Sequence, residues 1–102
     1  MNYYLDKATD NKHKYTVQFL NQTTKRINTI HFGNINYDDY TISNSNNDER
    51  KRLYKIRHAN DYINDLNYAG CWSMHLLWNK KSLESSIRDM EKRFKINIIN
   101  LL

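Results

Sequence analysis

The sequence predicts a single α+β domain, in which an N-terminal β-hairpin or small antiparallel sheet packs against three to four short helices around a single core. Three observations favour this fold class: apolar and polar residues alternate over residues 14–20, apolar residues recur at helical spacing over residues 83–94, and 102 residues suffice for one core. We expect an N-terminal arm at residues 1–13, the domain at residues 14–95 and an apolar tail at residues 96–102.

The first strand is predicted from the run KYTVQFL at residues 14–20, where Tyr15, Val17 and Phe19 share one face. This alternation is typical of a half-buried strand. The residues before it are polar and show no clear period, which indicates an arm that becomes ordered only where something holds it, with residues 3–5 as its anchor.

The second strand of the hairpin is predicted to follow a turn at residues 21–24 and to end at Gly33. The next stretch, GNINYDDYTISNSNN, is rich in residues that hydrogen-bond their own backbone and favour turns. It predicts a loop with one short strand around residues 40–42.

The first helix is predicted for residues 48–58, because Ser45 and Asp48 stand at capping-box spacing and place its start close to them. Its acidic first turn and basic remainder both suit the helix dipole. Leu53 and Ile56 are expected to face the core.

A second helical segment is predicted for residues 60–67, before the Ala-Gly break that follows. The short apolar run at residues 71–80 places Trp72, Leu76 and Trp78 near one another if it is helical. We expect this run to form the centre of the core.

The last helix has the clearest period in the chain, since Leu83, Ile87, Met90 and Phe94 fall on one face and Ser82 is a suitable N-cap. The tail after it is apolar. A small domain gains little from such a cluster at its end, so the tail either adds a strand to the sheet or docks on a partner. The candidate docking residues are Ile96, Ile98, Ile99, Leu101 and Leu102.

Charge and cysteine usage restrict the class of protein. Residues 1–50 hold six Lys and Arg against six Asp and Glu, and residues 51–102 hold ten against five, so the net charge of +5 comes from the second half. This asymmetry suits an anionic partner. A lone Cys71 is typical of a reducing compartment, and no apolar run is long enough to predict a membrane span or a signal peptide.

Enzymatic chemistry is not expected. Cys71 and His75, with His58 or Asp61, would make a weak zinc set, because structural zinc normally needs four ligands in paired spacings. Asp38 or Asp39 followed by Glu49-Arg50-Lys51 imitates a metal-dependent nuclease, but Glu49 falls at a polar helix start. With only two glycines there is no phosphate loop either, so the sequence predicts no catalytic residue, metal or cofactor.

The predicted helix around residues 50–58 is the best candidate for contact with an anionic partner. This segment contains several closely spaced cationic side chains and one aromatic ring that could stack on bases. The members of this basic group are Arg50, Lys51, Arg52, Tyr54, Lys55, Arg57 and His58. The partner could equally be nucleic acid or an acidic protein surface, and a merely solvated helix face explains the pattern as well.

Three segments, FGNINYDDYT, LYKIRH and AGCWSMHLLWNKKSLESSIRDMEKRF, resemble a family of small uncharacterised proteins encoded by large (giant) DNA viruses of eukaryotes. The resemblance covers most of residues 14–95. The residues that carry it are Phe32, Gly33, Asp39, Tyr40, Thr41, Arg57, His58, Ala69, Gly70, Trp72, Ser73, Leu76, Leu77, Trp78 and Asn79.

The resemblance implies a habitat but no activity. It favours a small virion structural protein, a minor capsid (cement) component that bridges larger coat subunits or binds itself, made in host cytoplasm or a viral factory. The alternative is a nucleic-acid-binding protein that uses residues 50–58, and a nuclease is a distant third. A hydrogen-bonded lock, with Arg57 and Asp39 as its charged pair, is predicted from Asp39, Tyr40, Arg57, His58 and Asn79.

Overall fold

The computed structural model describes residues 1–41, 48–60 and 62–102, and it confirms the α+β class. Four strands and three helical segments share one core. In chain order they are β1 (Asn2–Lys7), β2 (His13–Leu20), β3 (Ile27–Asn34), α1 (Asp48–Arg57), α2 (Ala69–Trp72), which continues directly as a π-helical turn (Ser73–Leu77), α3 (Leu83–Phe94) and β4 (Asn97–Asn100).

The predicted hairpin is confirmed as β2 and β3, which pair antiparallel from Leu20↔Ile27 to His13↔Asn34. Its turn is held by Asn21, whose side-chain oxygen accepts hydrogen bonds from the N–H groups of Thr23 and Thr24. The sheet is larger than expected, with the order β3-β2-β1-β4, and it is mixed because β4 runs parallel to β1.

The prediction of a separate N-terminal arm is wrong. Residues 2–7 form β1, an interior strand between β2 and β4, and its alternation buries Tyr3 and Leu5 while Tyr4 stays exposed. The ring of Tyr3 packs 4.8 Å from that of Phe19 and 5.4 Å from that of Trp72. Only two inward positions carry the strand pattern, too few to stand out in a polar stretch.

The apolar tail also belongs to the sheet, so its separation from the domain is a second correction. Of the two alternatives predicted for it, added strand or docking segment, the structure shows the strand for residues 97–100, with Ile98 buried and Ile99 half-buried. Ile96 is half-buried against the core, whereas Leu101 and Leu102 are exposed.

The core lies between one face of the sheet and the helical segments α2, the π-helical turn and α3. As predicted, the run 71–80 forms its centre: Trp72 and Leu76 are fully buried, and the indole N–H of Trp72 donates to the carbonyl of Leu66 at 2.9 Å. The last helix is confirmed with its N-cap, since the hydroxyl of Ser82 accepts from the N–H of Ser85.

Two local predictions are wrong, and a third lies outside the described chain. Residues 62–68 form turns rather than a helix, with Tyr62 at a positive φ of 53°, and residue 61 lies outside the described chain. Residues 40 and 41 lie in a turn rather than a strand. The predicted capping residue Ser45 and the remainder of that short strand fall at residues 42–47, also outside the described chain.

The structure describes no helix that is both long and apolar enough to cross a membrane within residues 1–41, 48–60 and 62–102.

Candidate functional site

The helix α1 is attached to the domain by polar and aromatic contacts rather than by an apolar face. Lys51 Nζ donates to the carbonyl of Asn79 at 2.5 Å and lies 4.6 Å from the ring centre of Tyr40. Tyr54 stacks on Trp78 with ring centres 4.6 Å apart and an interplanar angle of 11°, and its hydroxyl donates to Ser73 at 2.9 Å. Lys51 and Tyr54 are three positions apart and therefore lie on the same side of the helix, which they attach to the domain.

The remaining faces of α1 are open, which contradicts the prediction that Leu53 and Ile56 face the core. No residue of α1 is buried, and the exposed fractions of Leu53 and Ile56 are 43% and 62%. The helix is present as predicted, but Lys51 and Tyr54, rather than Leu53 and Ile56, contact the rest of the domain. Aromatic stacking on Trp78 therefore replaces the aliphatic packing that the sequence pattern suggests.

A cleft of about 610 Å³ runs beside α1, between the helix, the end of the hairpin and the π-helical turn. We call it the α1 cleft. It is lined by Lys14, Gly33, Asn34, Tyr37, Asp38, Asp39, Arg50, Leu53, Tyr54, Arg57, His58, Ser73, Leu77 and Trp78. Its helix side offers cations next to the apolar side chain of Leu53, while its floor is formed by the aromatic ring of Trp78.

Charges within the α1 cleft are distributed unequally. Asp39 on the sheet side is neutralised by Lys14, with 2.6 Å between Nζ and Oδ2. Arg50 lies over Trp78, 5.8 Å from its ring centre. Arg57 is exposed and forms no ion pair with any residue that the structure describes. The helix side of the cleft is consequently positive.

A second cleft, of about 600 Å³, adjoins the first across Tyr54 and His58. His13 and His31 stack beside it with ring centres 5.7 Å apart. Nδ1 of His13 contacts the carboxylate of Asp10 at 2.6 Å, and Nδ1 of His31 contacts the hydroxyl of Thr16 at 2.8 Å. The Asp10 carboxylate has its pKa lowered by this hydrogen bond to His13.

The predicted basic group divides into anchored and outward-facing members. Lys51 is anchored by its hydrogen bond to Asn79. Its pKa is lowered mainly by burial and, to a smaller extent, by the nearby charges of Lys55 and Lys80. Arg52 pairs with Glu49 three positions earlier, and that hydrogen bond lowers the pKa of Glu49. Lys55 and Arg57 remain exposed, but Tyr54 is already stacked between His58 and Trp78, so the ring expected to meet bases is occupied.

The predicted charged pair of the polar lock is wrong. The charged partner of Asp39 is Lys14 rather than Arg57, and Asp39 also accepts from the N–H and hydroxyl of Thr41. The hydroxyl of Tyr40 donates to Asp48 at the start of α1, and the side chain of Asn79 donates to Asp89 at 2.7 Å. Arg57 and His58 line the α1 cleft instead.

Lys14 and Tyr37 are among the residues of the α1 cleft that the sequence pattern missed. Lys14 stands at the start of a strand, where a lysine is usually solvated, and Tyr37 lies in the Asn-rich loop and is exposed beside the cleft. The structure places Lys14 next to Gly33, which has no side chain to fill the space beside the lysine. This neighbour is the one feature that could have indicated a buried position for Lys14.

The residues considered above as metal ligands or nuclease residues do not come together as one site in the described chain. Cys71 is buried, and burial raises the pKa of its thiol to about 12. His75 is bonded to the carbonyl of Ile63 at 2.9 Å. Within the described chain, which omits Asp61, no three His, Cys, Asp or Glu side chains come together as a metal site. Glu49 faces solvent on α1, whereas Asp39 is buried on the other side of the cleft.

Fold and site together define a small α+β protein that carries a basic, largely exposed helix beside a cleft. Residues 3–58 match the model of the Family of unknown function (DUF5754), so the chain belongs to this family. The matched range contains β1 from its second residue onwards, together with β2, β3 and α1. No curated protein and no solved structure shows a significant match to the chain.

Proposed function

We propose that the protein is a non-enzymatic structural component of a virus particle, which binds an acidic and partly apolar surface of a larger coat protein through α1. One observation carries this proposal: α1 buries none of its residues, and it exposes Leu53 and Ile56 beside Lys55 and Arg57. A helix with apolar side chains in water gains stability when a partner covers them.

The combination of apolar and cationic side chains favours a protein partner over a nucleic acid. Protein interfaces have an apolar centre and a charged rim, and complementary charge steers the two surfaces together. Leu53 and Ile56 supply the centre, and Arg57 and Lys55 supply a rim that suits carboxylates. A polyphosphate backbone would use the rim alone.

The setting in a virion rests on the resemblance to small proteins of large DNA viruses. Coats of such viruses are cemented by small minor proteins, and a compact chain with one interaction helix suits that role. The proposed partners are other viral structural proteins or a second copy, and the proposed site of synthesis is host cytoplasm or a viral factory.

Nucleic-acid binding is the second candidate. It is supported by the proximity of Lys55 and Lys80 to Lys51, whose pKa is lowered first by burial and then by these two charges. Binding of this kind would weaken steeply with salt because counterions are released from the phosphates. Nuclease activity has less support, since Asp39 is bound by Lys14 and Thr41 and Glu49 by Arg52.

The first experiment measures binding of the purified protein to a fluorescent amphipathic peptide of Leu and Glu, and to a short DNA duplex, across a salt series. Two double variants separate the contributions: Leu53→Ser with Ile56→Ser removes the apolar centre, and Lys55→Glu with Arg57→Glu reverses the rim. Arg88→Glu with Lys92→Glu on α3 is the matched charge control, because both of these residues are exposed.

We expect each α1 variant to weaken peptide binding by roughly ten-fold or more, and the α3 control to leave it within about two-fold. Tight DNA binding that depends on the rim but not on Leu53 and Ile56 would favour the second candidate. Equal losses in the α3 control would show non-specific attraction and overturn the α1 proposal.

The virion part of the proposal has a separate test. Mass spectrometry of purified particles of the encoding virus should find the chain at a fixed ratio to the coat protein. Its presence in infected cells but not in particles would contradict a role in the coat.

A further inference from the structure

In the part of the chain that the structure describes, β3 is an edge strand, and no other strand pairs with its outer side. Arg26, just before β3, accepts a hydrogen bond from the N–H of Asn21 and so faces β2. Backbone groups alternate in direction along a strand, so Ile27, Thr29 and His31 direct their N–H and C=O groups outwards. Outside the β2 ladder, no backbone hydrogen bond joins residues 27–33 to another part of the described chain.

The opposite edge of the sheet is protected. There β4 is only four residues long, and the N–H of Ile98 donates to the carboxylate of Glu91 at 2.9 Å. A charged group on an edge and a short edge strand both discourage pairing with another chain. The sheet therefore has one blocked edge and one open edge.

The composition of β3 suits pairing with another strand. Its sequence, INTIHFGN, has no Lys, Arg, Asp, Glu or Pro, which are the residues that usually prevent edge pairing. At its start, Ile27 is 63% exposed and borders a groove of about 510 Å³. The residues that line the groove carry no charged side chain: Met1, Asn2, Tyr4, Gln18, Phe19, Leu20, Gln22 and Ile27.

We propose that β3 pairs antiparallel with β3 of a second copy about a two-fold axis, which joins the two sheets into one of eight strands. The chain carries a net charge of +5, so two copies repel each other over most of their surface. The strand β3 itself carries no Lys, Arg, Asp or Glu, so that repulsion is weakest along this strand. An antiparallel strand is complementary to itself, so one contact satisfies both edges.

The blocked β4 edge makes this assembly a closed dimer. Once the two β3 edges are paired, each remaining edge of the joined sheet is a β4 edge protected by Glu91. Growth into a filament is thereby prevented. The backbone groups that pair belong to β3 and the proposed coat contact belongs to α1, so separate variants test the two proposals, although Gly33 and Asn34 of β3 also line the α1 cleft.

Sedimentation velocity over a concentration series tests the proposal with the full chain and three variants at one position. Thr29→Pro removes an outward N–H without removing a bond to β2, Thr29→Lys places two like charges near the two-fold axis, and Thr29→Ala keeps the N–H as the control. The wild type and Thr29→Ala should dimerise, and the other two should weaken the dimer by roughly ten-fold or more.

Circular dichroism of each variant shows whether it is folded, and Thr29→Lys keeps the test decisive if Thr29→Pro fails to fold. Amide exchange gives a direct readout: the N–H groups of Thr29 and His31 should become protected only at concentrations where the dimer forms. A wild type that stays monomeric at every concentration would overturn the proposal, as would a dimer that all three variants preserve.

Discussion

Lys14 Nζ lies 2.6 Å from Asp39 Oδ2, and this ion pair joins β2 to the loop that follows β3. The side chains are 15% and 4% exposed, so water screens the pair only on the lysine side. Asp39 also accepts the N–H and the hydroxyl of Thr41. The carboxylate therefore organises the loop as well as neutralising the lysine.

Replacement of Asp39 tests this role. Asp39→Asn keeps an acceptor for Thr41 but leaves the Lys14 charge partly buried without a partner, and we expect the free energy of unfolding to fall by roughly 2 to 3 kcal/mol. Urea denaturation followed by tryptophan fluorescence measures it. Asp6→Asn, at an exposed position, is the control.

A double-mutant cycle with Lys14→Met separates the contribution of the Lys14–Asp39 ion pair from that of the hydrogen bonds between Asp39 and Thr41. If the ion pair matters, Lys14→Met with Asp39→Asn should cost less than the sum of the single changes. Strict additivity would mean that Asp39 acts through Thr41 alone.

His75 should make stability depend on pH below neutrality. Burial is the largest effect on this imidazole and lowers its pKa below the ordinary value of 6.5, while Arg93 and Lys55 act in the same direction and Asp89 and the Ile63 carbonyl oppose them. Below pH 6.5 the unfolded chain takes up a proton that the folded chain resists, so the free energy of unfolding should fall as pH falls.

Thermal unfolding from pH 7.5 down to 5 measures this slope. In His75→Gln, which can still donate to Ile63 but does not titrate, the slope should be shallower than in the wild type. An unchanged slope would assign the acid sensitivity to other groups.

Gly33 is required for two reasons. Its φ is +77°, and an added Cβ would lie 2.8 Å from Cδ1 of Leu77. Gly33→Ala should therefore lower the free energy of unfolding by roughly 2 kcal/mol, since it combines a left-handed backbone with a forced shift of a core side chain. Gly70→Ala, at a helical position without a positive φ, should be neutral or slightly stabilising. Similar losses in both variants would contradict this explanation.

The open faces of α1 give a direct stability test. Leu53→Ser and Ile56→Ser should each change the free energy of unfolding by less than about 0.5 kcal/mol, because both side chains are exposed. Leu76→Ala, at a fully buried position, should cost about 2 to 5 kcal/mol in the same chemical denaturation assay. A large cost at Leu53 would place this helix face against the core after all.

The elements with strong local patterns could be predicted from the sequence. The period of Leu83, Ile87 and Met90 and the N-cap at Ser82 specified α3, and alternation in residues 14–20 specified β2. The apolar run around Trp72 identified the centre of the core, because it combines two Trp side chains with Leu and Met.

Features that depend on distant partners could not be predicted in this way. The strand β1 is recognisable only once β2 and β4 lie on either side of it, and Lys14 becomes the partner of Asp39 only through the hairpin. The Tyr54 side of α1 faces the domain because Tyr54 stacks on Trp78. The periodicity of the helix sequence alone does not indicate this contact. The sequence thus predicted the basic helix α1, whereas the cleft beside it and the exposure of Leu53 and Ile56 are seen only in the structure.

The parallel pairing of β1 with β4 has a kinetic consequence. Asn2 aligns with Asn97, so the two strands meet only after a loop of nearly the whole chain has closed, whereas β2 and β3 are joined by a short turn. Contacts between distant segments form late because their closure entropy must be overcome first. The hairpin and α3 are therefore expected to organise early in refolding, and the attachment of β4 is expected to complete the native state.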